Sequence, residues 1–134
     1  MEKITIATDI KVFCVDAESF PEGILKAHQK LHALVPFSEE RKYFGVSRME
    51  NGGIIYKAAA EELQPGELAK HDLAPLILPS GEYQCILIRD FMKNIEAIGA
   101  AFEELTQLPD IDPQGYCLEW YVSDKDVRCM VRVV

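Results

Sequence analysis

Tyr116-Cys-Leu-Glu-Trp-Tyr-Val-Ser123 is the stretch that decides how this chain folds. It follows the breakers Asp112-Pro113-Gln114-Gly115 and leads through a turn at Asp124-Lys125 into a second apolar run, residues 127–133. Aromatic and β-branched residues bounded by turn formers mark a pair of hairpin strands. The same order occurs earlier in the chain. Tyr43-Phe-Gly-Val-Ser-Arg-Met-Glu50 is followed by Asn51-Gly52 and then by residues 54–60. Asn-Gly supplies the positive φ that a type I′ hairpin turn needs at both central positions.

Working outward, each hairpin is preceded by a helical pattern, and each helical pattern by an apolar strand. The strands cover residues 10–17 and 82–89. The first helix reads from Phe20, with Ser19-Phe20-Pro21-Glu22 as a capping box and Ile24, Ala27, Leu31, Leu34 and Val35 on one face. The second reads from Phe91, capped by Asp90, with Ile95, Ile98, Phe102 and Leu105 inward. Strand–helix–strand–strand therefore occurs twice, as pseudo-repeats over about residues 8–62 and 76–134. Between them, residues 61–80 carry Pro65, Gly66, Pro75 and Pro79 and read as a linking loop with a short helix near 67–71. Helices that are apolar on one side only belong on one face of a sheet. The expected fold is α+β: a curved antiparallel sheet, two helices on one face, and a ligand cleft between the repeats.

A chain of 134 residues is one domain by length and can bury a core without metal or disulfides. The net charge of −8 opposes phosphate backbones and anionic membranes, so neither nucleic acid nor membrane is an expected partner. No apolar run reaches the roughly 20 residues of a span, and the N-terminus has no signal-peptide pattern, which points to a cytoplasmic protein. Cys14, Cys85, Cys117 and Cys129 form no Cys-x-x-Cys pair and read as reduced residues in apolar strands. His28 and His32, four apart on the first helix, have metal-binding spacing but no third ligand, so they read as a surface pair. No metal or cofactor is expected.

In a strand, alternate side chains share a face. With a two-residue loop at Asp124-Lys125, Trp120 pairs with Cys129 and Leu118 with Val131, the natural helix-facing set. Glu119 then pairs with Met130, and Tyr121 with Arg128, on the face without helices. Phe44 falls on that open face by parity, and Tyr83 can reach it. A carboxylate among rings suits an organic cation, at about 0.5–2 kcal/mol per ring. The alternative is a cross-strand ion pair of Glu119 with Arg128 or Arg132. Tyr56 and Trp120 fall on the helix-facing side, where core packing is the simpler role.

The run Tyr116-Cys-Leu-Glu-Trp-Tyr, the duplicated plan and the Gly81-Glu-Tyr83 entry to the second half resemble the GyrI-like family over about residues 10–133. That family includes effector-binding domains of AraC-type and MerR-type regulators and the DNA gyrase inhibitory protein. The resemblance implies a cleft between the repeats that takes hydrophobic, aromatic or cationic small molecules. It implies a ligand-meeting glutamate at Glu119 and ring contacts from Tyr83 and Tyr121. The candidate ligand set is thus Glu119, Tyr121, Tyr83, Phe44, Trp120 and Tyr56. Some family members hydrolyse strained cyclopropane compounds with a glutamate and a tyrosine, which makes Glu119 and Tyr83 catalytic candidates. A protein-interaction role like that of the gyrase inhibitor is a further alternative. The expected chain carries no DNA-binding domain, and an exposed edge strand would permit a homodimer.

Overall fold

The computed structural model describes residues 1–134. Its elements are β1 (Glu2–Ile6), β2 (Ile10–Asp16), α1 (Ile24–Leu34), β3 (Tyr43–Glu50), β4 (Gly53–Glu61), β5 (Ala74–Leu78), β6 (Gly81–Ile88), α2 (Ile95–Leu105), β7 (Cys117–Tyr121) and β8 (Val127–Val133). All eight strands form one antiparallel sheet in the order β1-β6-β8-β7-β3-β4-β2-β5. The order is palindromic about the β7–β3 pair, and α1 and α2 begin 71 positions apart (95 − 24) with eleven residues each. The outermost strands are exchanged: β1 pairs with β6 of the second unit, and β5 with β2 of the first.

Two strands were not legible as such, β1 before the first apolar strand and β5. β5 lies inside the segment read as a linking loop. Pro75 is tolerated there because β5 pairs on one side only, with β2. The helix expected near residues 67–71 is a series of turns. Arg41, itself buried, ties that segment down by donating to the Glu61 carbonyl (2.6 Å) and to Glu67 Oε1 (2.8 Å). That guanidinium, helped by the Leu63 amide, holds the Glu67 carboxyl down at about 2. Both helices start later than expected. Residues 19–23 form a turn in which Gly23 N donates to the Ser19 carbonyl (3.1 Å), so the helix starts at Ile24 with no side-chain cap. Asp90 adopts a left-handed conformation (φ 51°) before a 3₁₀ turn at Phe91–Lys93, and Asn94 precedes α2.

The last hairpin corrects the expected register. Glu119 faces Cys129, Leu118 faces Met130, Trp120 faces Arg128 and Tyr121 faces Val127. The loop is longer than two residues because Ser123 Oγ accepts from the amides of Lys125 (3.1 Å) and Asp126 (3.0 Å). A one-residue slip moves every side chain to the other face. Cys117, Glu119 and Tyr121 therefore share the helix-bearing face with Val127, Cys129 and Val131, under α2. Leu118 and Trp120 go to the face without helices.

That second face is closed. Val12 and Cys14 of β2, Leu78 of β5, and Tyr83 and Cys85 of β6 meet Phe44, Val46, Leu118 and Met130 in one buried cluster. Residues from opposite ends of the sheet can touch only if the sheet curls toward this side, so it forms a half-barrel filled by its own side chains. The helices lie on the convex side. α1 covers Phe13, Val15, Ala58 and Ala60, where alanines allow close approach, and α2 covers Val127, Cys129 and Val131. Each helix rests on outer strands, and β3 and β7 are left as the floor of a trough between them. No helix is long and apolar enough to cross a membrane.

The closed concave face has a measurable consequence. Leu118→Ala should cost about 2–5 kcal/mol in urea denaturation, and Met49→Ala, at 65% exposure, less than about 0.5 kcal/mol. Equal small losses at the two positions would mean that the concave face is wet.

Candidate ligand cleft

The trough is a cleft of about 1490 Å³. Phe20, Ile24 and His28 form its α1 wall, and Phe91, Ile95 and Phe102 its α2 wall. Ser47 of β3 and Cys117, Glu119 and Tyr121 of β7 face up between them. Strand alternation delivers the β7 residues as a row on the cleft side.

Glu119 is the polar centre. Its Oε1 accepts hydrogen bonds from Tyr121 (2.6 Å) and Tyr56 (2.8 Å). Its Oε2 has no partner within the protein. Tyr56 of β4 lies on the same face of the sheet, buried under α1 at 3% exposure, and its hydroxyl also lies 2.8 Å from His28 Nε2. Burial, then the negative charge of Glu119, pushes the Tyr56 and Tyr121 hydroxyls far above their usual range, so both stay protonated and act as donors. Burial, then His32, lowers His28 to about 4. His28 is therefore neutral at pH 7. Because the Tyr56 proton is engaged with Glu119, the network assigns the imidazole proton to Nε2. The chain runs His28 Nε2–H to Tyr56 Oη–H to Glu119 Oε1, met from the other side by Tyr121.

Gly45 makes this meeting possible. It lies directly opposite Glu119 across the β3–β7 pair, and a Cβ there would overlap Tyr56 Oη and Glu119 Oε1. Rings complete the surround. Tyr121 packs edge-on against His28 (5.3 Å between centroids) and tilted against Phe91 (5.5 Å), so it touches both walls. The two arginines that reach the cleft are engaged elsewhere, Arg41 with Glu67 and Arg48 with Glu50 (3.0 Å).

The structure gathers Glu119, Tyr121 and Tyr56 at one place and separates the other three candidates from them. Phe44 and Trp120 pack against each other in the concave core (6.2 Å). Tyr83 is 1% exposed, with its hydroxyl donating to the Pro79 carbonyl (2.7 Å). The expectation that ring contacts come from the helix-free face is thus corrected: that face is filled. Arg128 stacks over Trp120 (5.1 Å) and Arg132 pairs with Asp112 (3.0 Å), so neither holds Glu119. His28, read as a surface residue, lies in the cleft. Phe20, Phe91 and Gly45 were missed, and only Gly45 carried a signal, a lone glycine inside a strand marking close approach. No three His, Cys, Asp or Glu side chains stand together as a metal set.

No family model matches the chain, and no curated protein does. Solved structures do match. An integron cassette protein from the mobile metagenome of Vibrio cholerae is similar with a TM-score of 0.73 at 15% identity, over 99% of this chain and 95% of its own. SAV2435, solved bound to tetraphenylphosphonium, is similar at 0.63 and 11% identity, over 98% and 93%. A proposed bacterial transcription regulation protein from Staphylococcus aureus MU50 follows at 0.61 and 9%, over 98% and 97%. A hydrolase from Listeria innocua is more distant, at 0.52 and 13%, over 99% and 90%. At these identities the likeness shows the fold, one that the chain shares with a ligand-bound protein.

Two measurements follow from this geometry. Gly45→Ala should lose about 1–3 kcal/mol in chemical denaturation, because the added methyl forces Glu119 and Tyr56 apart. His28 gives a pH signature. Its folded value of about 4 lies below the ordinary 6.5, so between these values the unfolded chain binds more protons and stability falls as pH falls. The contribution present above pH 6.5 and lost on descent through pH 4 is about 2–3 kcal/mol. Denaturation of His28→Gln across pH 4–7 should be flatter than wild type by that amount. Parallel profiles would remove His28 from the buried network.

Proposed function

We propose that this chain is a binding protein for bulky hydrophobic organic molecules, with cations preferred, related in fold to the effector-binding domains of transcription regulators. The observation that carries this reading is the half-satisfied carboxylate of Glu119. One oxygen is saturated by two phenols, while the other is free in a ring-lined cleft whose arginines are already paired and whose two histidines, His28 and His32, are shifted down by burial. A lipophilic cation brings a counter-charge to that oxygen. It also exchanges hydration of its own apolar surface for contact with Phe20, Phe91 and Tyr121. The tetraphenylphosphonium bound by SAV2435 supports the same ligand class here.

A hydrolytic reading has its own support. A carboxylate flanked by two protonated tyrosines can orient a water while a phenol donates to a leaving group. The hydrolase of the same fold keeps this open as the second reading. Mass spectrometry of a bound compound after incubation separates the two, since a receptor returns it unchanged.

Calorimetric titration tests the first reading. Tetraphenylphosphonium should bind wild type, and Glu119→Gln should weaken it by about tenfold or more, or about 1.4 kcal/mol. Neutral triphenylphosphine oxide should change by less than about twofold. Equal losses for the two probes would refute a counter-charge role.

A further inference from the structure

The two walls of the cleft are copies that differ at one telling position. An offset of 71 carries Phe20 onto Phe91, Ile24 onto Ile95 and His28 onto Gly99, and all six line the cleft. Where α1 presents an imidazole that holds the floor, α2 presents nothing. Gly99 is also out of place in a helix. It lies mid-way along α2, within the sequence Ile95-Glu-Ala-Ile-Gly-Ala-Ala-Phe-Glu-Glu-Leu105, most of whose other residues are the helix formers Ala, Glu and Leu.

Neither usual structural reason for a glycine applies. Gly99 does not have positive φ, and a Cβ built there meets nothing within 4 Å. No packed neighbour needs the space, yet a glycine in a helix interior costs stability relative to alanine. Gly99 is exposed and lines the cleft, so the room left there is open to a ligand in it. The cleft volume of about 1490 Å³ also exceeds the range of roughly 300–1,000 Å³ usual for a small-molecule site.

We propose that Gly99 keeps open a subsite on the α2 wall that takes an aromatic ring of the ligand whose charged centre lies at Glu119. The ring lies flat on the exposed helix backbone at Gly99, between Ile95 and Phe102, where any side chain would hold it off. The α1 wall cannot take an equivalent ring, because His28 fills that position and is tied to Tyr56. The ligand thus sits off-centre toward α2. Gly99 is a specificity-determining residue that selects for bulk beside the charge. This inference rests on the ligand-binding reading above.

The test uses the full chain, with tetraphenylphosphonium and neutral triphenylphosphine oxide as probes on wild type, Gly99→Ala and Gly99→Leu. Gly99→Ala should raise Tm by about 2–4 °C, as relief of a helix-interior glycine predicts. It should also weaken both probes by about threefold to tenfold. Gly99→Leu should weaken both by about thirtyfold or more without melting below wild type. Higher Tm with unchanged affinity in both variants overturns the subsite and leaves the cleft reading standing. If wild type binds neither probe, the cleft reading and the subsite fall together.

Discussion

The cleft depends on one close approach at the seam between the two units: the Glu119 carboxylate and the Tyr56 hydroxyl meet over the bare backbone of Gly45. In an antiparallel pair, directly opposed side chains compete for the same space. Glycine on one side of the pair surrenders that space to the other, so an acid and a phenol from a third strand can both point into it. β3, β4 and β7 are thereby joined by polar contacts as well as by the sheet ladder. Tyr121 then anchors the acid from above, and His28 reaches down from α1 to the same phenol. The floor is held from both walls, and its geometry is set before any ligand arrives.

The palindromic strand order explains why there is a trough, and the unlike residues on its two sides explain why it has a direction. β3 and β7 pair at the centre of that order, with Val46 opposite Leu118, Gly45 opposite Glu119 and Ser47 opposite Cys117. The acid has bare backbone opposite it, and the hydroxyl of Ser47 and the thiol of Cys117 beside it on the same face, so the β3–β7 floor carries one carboxylate.

Much of the architecture was legible because it rests on local signals. The Asn51-Gly52 turn, the alternation in both hairpins and the apolar helix faces each specify an element without reference to the rest of the chain. The face assignment was not, because it hung on the length of one loop. Ser123 turns a two-residue connection into a longer one, and that single residue exchanges the roles of Trp120 and Glu119. β5 was hidden because prolines that break an interior strand are tolerated at an edge. His28 was hidden because a histidine flanking an apolar stripe looks the same whether it faces water or a trough. Glu119, Tyr121 and Tyr56 come together only through the register of three strands, which no local pattern encodes.

Glu119 is held in an apolar trough by a balance of desolvation and hydrogen bonding. A carboxylate moved into apolar surroundings without partners costs several kcal/mol. Two phenols donating to Oε1 return roughly 1.5–3 kcal/mol each, as hydrogen bonds to a charged group do. The remaining oxygen is solvated because the trough is open along its length, so the fold tolerates the acid unliganded. Had the cleft been closed over Glu119, the unpaired oxygen would have needed a permanent cationic partner, and the site would have become core. An open trough leaves that oxygen wet, and a small hydrated ion gains little by replacing one water shell with another. A lipophilic cation gains both the charge contact and burial against the rings. On the reading proposed above, the balance between an anchored and a free carboxylate oxygen favours charge carried on an apolar body.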